Sequence, residues 1–97
     1  MEREIYVVDA KIIDANGTFN TLSGYPKTFD SRNYNNDVEK AFNRATGEFH
    51  SVLGTMYTRD DRLEQVAMVI RISDGVQIAV ERIGDMPEVP DPVVEEG

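Results

Sequence analysis

Two short turn sequences, one on either side of a single amphipathic stretch, decide most of what this chain can become. The first is Asp14-Ala15-Asn16-Gly17 and the second Ser73-Asp74-Gly75. Asn-Gly and Asp-Gly accept the positive φ that tight hairpins demand and most residues resist. Between the turns, apolar residues over 37–56 recur at spacings of three and four, the period of a helix. Such a chain belongs to the α+β class, in the order ββαββ. Two β-hairpins form a four-stranded, mainly antiparallel sheet packed on one amphipathic helix. An extended, acidic, proline-rich C-terminal tail follows. The expected division is a single α+β domain over 1–84 and a flexible tail over 85–97.

Polarity matching sets the strand registers, because opposed residues share a sheet face. A two-residue Asn-Gly loop opposes Ile13 to Asn20 and Lys11 to Leu22. A three-residue loop opposes Ile13 to Phe19 and Ala10 to Leu22, and is the better match. Gly24-Tyr25-Pro26 ends the returning strand, proline having no amide to donate. Lys27-Thr28-Phe29 offers a short extra edge strand. Asn36 is the expected N-cap of the helix, with Glu39 reciprocating three residues on. Val38, Ala41, Phe42, Ala45, Phe49, Val52, Leu53 and Met56 form its apolar stripe. Gly47 lies mid-helix, where glycine costs about 1 kcal/mol relative to alanine, and Gly54 offers an early end. In the second hairpin a three-residue loop opposes Ile72 to Val76, Ile70 to Ile78 and Met68 to Val80, with Gly75 left-handed at a bulge.

These registers assign one sheet face to the helix. Its residues are Tyr6, Val8, Ala10, Ile12 and Leu22, with Val66, Met68, Ile70, Ile72, Val76, Ile78 and Val80. The far side still carries Ile5, Val7, Ile13, Phe19 and Val69. A contiguous apolar patch of that kind marks an interface. Val89 and Val93, with Val94, in the proline-rich tail extend the candidate interface as a docking segment in polyproline conformation.

Chemistry-bearing patterns are missing from the sequence. The chain has no cysteine and one histidine, His50, with no nucleophile or orienting carboxylate at a recognisable spacing. No catalytic, cofactor-binding or metal site is expected, and the chain reads as a non-enzyme. Taking Gly17 as the invariant glycine of a calcium loop puts Ile12 and Ser23 at ligand positions, so that match fails. No glycine-rich loop precedes the helix to cradle phosphate. Tyr25, Lys27, Phe29, Arg32 and Tyr34 interleave aromatics with cations, yet they read better as aromatics folded over the core or an interface.

Net charge is −8, unevenly placed. The tail holds five acids (Asp85, Glu88, Asp91, Glu95, Glu96) and no base, leaving thirteen acids and ten bases in 1–84. That sign opposes nucleic-acid binding, which rests on phosphate neutralisation. No apolar run approaches the roughly 20 residues of a membrane span, and the charged start lacks a signal-peptide core. The expectation is a cytoplasmic protein, in the host cytoplasm if viral. Its expected role is non-enzymatic interaction or assembly, self-associating or docking through a sheet face or edge. The partner is a protein, as a homo-oligomer or in a larger assembly, with no membrane and no nucleic acid. The style of the chain suits a phage or mobile-element accessory protein. The alternative is an acidic inhibitor that mimics nucleic acid and occupies a basic groove on a nuclease or polymerase.

Overall fold

The computed structural model describes residues 3–58 and 63–85. The fold is α+β, with one long helix on an antiparallel sheet. The strands are β1 (Ile5–Ile13), β2 (Phe19–Thr21), β3 (Lys27–Asp30), β4 (Gln65–Arg71) and β5 (Val76–Ile83), with helix α1 (Val38–Tyr57) between β3 and β4. The sheet has five strands rather than four. Its order is β2-β1-β4-β5, and β3 pairs with β1 beside β2. β2 and β3 therefore act as one interrupted edge strand. β2 lies along the end of β1 (Ile13↔Phe19) and β3 along its start (Ile5↔Asp30). The interruption spans Ser23, Gly24 and a cis Tyr25–Pro26 bond, with Gly24 at φ +90°. Asp30 then opens a single 3₁₀ turn, Ser31–Tyr34.

The first hairpin has the three-residue loop that polarity matching favours. Leu22 N donates to Ala10 O at 2.8 Å, and Asp14 Oδ1 accepts from Asn16 N and Thr18 N. The second hairpin differs from expectation near its turn. Arg71 opposes Val76, so the loop has four residues, and Ile78 is bulged out before Ala79 meets Val69. Met68↔Val80 holds as expected beyond the bulge, while Ile72↔Val76 and Ile70↔Ile78 do not form. Side-chain chemistry explains the longer loop. Asp74 grips the Arg71 guanidinium at 2.7 Å and accepts from Val76 N at 3.2 Å, and Gly75 is left-handed as expected.

The helix is capped one residue later than Asn36. Asp37 is extended (φ −88°) and its carboxylate accepts from Lys40 N at 3.1 Å. Asn35 and Asn36 are both left-handed (φ 58° and 64°), a conformation an N-cap does not use and asparagine tolerates. The helix runs through Gly47 and Gly54 to Tyr57. Its end is tied to the sheet by Gln65 Nε2 donating to Met56 O at 3.1 Å and Tyr57 OH donating to Glu81 at 2.7 Å.

Beneath the helix the core is narrow and built partly from alanines. Ala41 and Ala45 of α1 and Ala10 and Ala67 of the sheet are fully buried, so helix and sheet approach closely. Tyr6, Val8 and Val69 from the sheet, with Phe49, Val52 and Met56 from the helix, complete the cluster. Tyr25, Phe29 and Tyr34 fold onto its margin. The register corrects the face of β4. Val8 opposes Val69 and Ala10 opposes Ala67, which places Ala67 and Val69 beneath the helix and Val66, Met68 and Ile70 on the far side. Because β4 is apolar on both faces, alternation alone cannot say which one the helix takes. Phe42 is likewise not a core residue. It is 39 % exposed at the rim and meets the edge of Tyr6 at 5.4 Å.

Candidate functional site

The far face of the sheet gathers most of the apolar residues that the sequence assigned to an interface. Ile5, Val7 and Ile13 point there from β1 and are half-buried. Phe19, opposite Ile13, is 43 % exposed. Val69 does not belong: it is 1 % exposed and sits under the helix, because the β1–β4 register pairs it with Val8. Val89 and Val93 lie outside the described residues. Sequence reasoning missed the members from β4. Val66, Met68 and Ile70, at 0, 2 and 4 % exposure, form a second apolar cluster with Ile13 and Ile72 packed against it.

Charges of both signs lie on and around this face. Lys11 Nζ lies 3.3 Å from Asp9 and 3.3 Å from Thr21 Oγ1. Across β1, Arg3 forms a two-pronged contact with Asp30, at 2.9 Å for the shorter arm. The Arg3 guanidinium and the Arg32 amide hold the Asp30 carboxyl at a pKa of about 2. Glu4 ties the open end shut, accepting from Ser73 Oγ at 2.8 Å while its own amide donates to the buried Ser31 hydroxyl at 3.0 Å. The β1 part of the face thus carries apolar residues toward both ends with the Asp9–Lys11 pair between them, is nearly neutral, and is stiffened by cross-strand bonds.

Among the described residues, two grooves open on the helix side. One, about 450 Å³, lies where β2 and β3 break, between Leu22 and Tyr25 on the sheet edge and Val52 and Met56 on the helix. Tyr25 OH donates to Glu48 at 2.5 Å, and Lys27 Nζ sits 3.3 Å from that carboxylate and 5.1 Å above the Tyr25 ring. Burial, then the bond to Glu48, pushes the Tyr25 phenol up to about 12. The three groups satisfy one another and aim no free base or nucleophile into the groove. The other, about 170 Å³, lies between α1 and β5, lined by Phe42, Phe49, His50 and the bulged Ile78. His50 is exposed there, its ring edge-on to Phe49 at 5.7 Å. Among the described residues no group of three histidines, cysteines or carboxylates is placed to hold a metal. No helix there is long and apolar enough to cross a membrane.

No family model matches the chain, and comparison with the curated proteins and with the solved structures gives no match.

Proposed function

We propose that this chain is a non-enzymatic assembly protein that associates with a second copy of itself through the β1–β2 side of its far sheet face. The observation that carries this reading is the exposed Phe19 ring beside half-buried Ile13, with half-buried Val7 and Ile5 on the same face of β1 beyond the Asp9–Lys11 pair. Apolar area of this kind is stabilised by removal from water, at roughly 25 cal/mol per Å². A second copy is the favoured occupant because the charges of the face are self-compatible. Asp9 with Lys11 and Asp30 with Arg3 leave it close to neutral, although the chain carries −8 overall. A two-fold interface brings the same patch against itself, and a patch of one sign would repel. The cytoplasm is the proposed location.

The nucleic-acid-mimic reading stands second and has less support. Asp9, Asp30, Glu48 and Asp74 each lie within 4 Å of a lysine or arginine, whereas a phosphate-like array needs free acids in a row. Sedimentation over a concentration series tests the leading reading. Mass should rise reversibly with concentration, and Phe19→Asp should abolish the rise without lowering the melting temperature.

A further inference from the structure

The smaller groove, between α1 and β5, owes its existence to two local features. Four alanines (Ala10, Ala41, Ala45 and Ala67) draw the helix down onto β1 and β4, whereas no residue of β5 is fully buried. β5 also bulges. Ile78 and Ala79 are successive residues, yet both pack toward the helix-side cluster. Regular alternation forbids that, and a bulge permits it. The space left between helix and strand is about 170 Å³. Val69, 1 % exposed, is its most buried wall, and the Phe42 and Phe49 rings form its helix side. Two polar groups complete the lining, the half-buried Thr46 hydroxyl and the exposed His50 imidazole. Among the described residues neither has a hydrogen-bond partner.

We propose that this pocket binds a small neutral aromatic molecule, a single ring with one hydrogen-bonding substituent, as in a phenol. Size favours it. An engineered apolar cavity of ~150 Å³ takes up benzene, whereas sites for drug-sized ligands begin near ~300 Å³. The lining favours a ring as well. Aromatic pairs gain most from edge-to-face or offset contact. Phe42 and Phe49 already meet neighbouring rings in that way, Phe42 against Tyr6 at 65° and Phe49 against His50 at 61°.

Charge and hydrogen bonding narrow the class. Among the described residues no lysine, arginine or carboxylate lines the pocket, so a charged ligand would give up water with nothing to replace it. Thr46 and His50 can each donate or accept a hydrogen bond, which suits a hydroxyl on the ring. The bulge sets a peptide aside. A partner strand adding to the outer edge of β5 would have to pair across Ile78, and bulges on edge strands oppose such pairing. The pocket lies on the opposite side of the sheet from Phe19 and Ile13, so it does not depend on the proposed self-association.

Phenol itself serves as the ligand in the test, titrated into the full chain while the methyl signals of Val69, Ile78 and Ala79 are followed by NMR. Those signals should shift saturably. The ring protons of phenol should also show nuclear Overhauser contacts to Val69 and Ile78 in the wild-type chain. Ala79→Leu fills the space and should abolish the binding, while the Met68 methyl signal, on the far face, stays in place. Thr46→Val with His50→Phe should weaken phenol about fivefold, the worth of one neutral hydrogen bond, and leave toluene unchanged. Benzoate should bind more weakly than phenol. The proposal is overturned if the three methyl signals do not shift, if Ala79→Leu still binds phenol, if the double variant treats phenol and toluene alike, or if benzoate matches phenol. It is also overturned if N-acetyltyrosinamide binds more tightly than phenol, which would make the pocket a seat for a partner's side chain.

Discussion

Met56 and Met68 are the same side chain buried on opposite faces of one sheet, at 1 % and 2 % exposure. Truncating each to alanine asks whether the far face is as dry as the helix face. Met→Ala removes three heavy atoms, worth about 2.4 kcal/mol at ~0.8 kcal/mol per buried methylene. The cavity left behind brings the usual cost to about 2–5 kcal/mol. For a domain of this size each kcal/mol shifts the melting temperature by roughly 4–8 °C, so either variant should melt at least about 10 °C lower. Thermal unfolding by circular dichroism, with urea titration to check that the m-value is unchanged, gives both numbers. The reasoning requires similar losses for the two variants. If Met56→Ala shows the full loss while Met68→Ala costs less than about 0.5 kcal/mol, as for an ordinary surface change, the far face along β4 is wet and the account of it is wrong.

Three further outcomes follow from the geometry. A Cβ at Gly47 meets nothing within 4 Å, so Gly47→Ala should stabilise by about 0.5–1 kcal/mol through helix propensity, read as a higher melting temperature. The folded pKa of Asp30 is lowered from 3.8 to about 2. Its contribution is therefore complete above about pH 4 and lost as pH falls toward 2, and Asp30→Asn should flatten that part of an acid stability titration. The Tyr25 phenol is raised from 10 to about 12, so it stabilises the fold below pH 10 and ceases to as pH passes 12. Tyr6 and Tyr57 are also raised, by burial and by the bond to Glu81 respectively, so phenolate absorbance should show several late-titrating tyrosines, and Tyr25→Phe should remove one of them.

What the sequence revealed depended on whether one physical signal acted alone. The first hairpin was legible because only one register matches polarity across Ile13, Phe19, Ala10 and Leu22. The helix was legible because its stripe keeps period over five turns. β4 was not, because Val66, Met68 and Ile70 alternate with Ala67 and Val69 and both sets are apolar. The larger residues attracted the helix assignment, yet the small ones let the helix come close over Ala10 and Ala67. The bulge at Ile78 stayed hidden because it follows from the Arg71–Asp74 grip on the turn, a side-chain effect without periodicity. Asn36 lost the cap to Asp37 because the chain needed two left-handed residues to leave the 3₁₀ turn. Of the interface residues, those on β1 and β2 were correctly placed on the far face, and Val69 was misplaced with the rest of β4. The groove at the β2–β3 break had a signal in Ser23-Gly24-Tyr25-Pro26, which reads as a strand end and not as a gap in an edge.

Sedimentation equilibrium of the full chain, alone and with Ile13→Asp and Phe19→Asp combined, tests self-association through the far face most directly. The account predicts that the wild-type mass climbs reversibly above the 10.9 kDa monomer as concentration rises. The double variant should stay at 10.9 kDa with an unchanged melting curve. A wild-type chain that holds 10.9 kDa at every concentration, or an association that the two aspartates leave untouched, would contradict it.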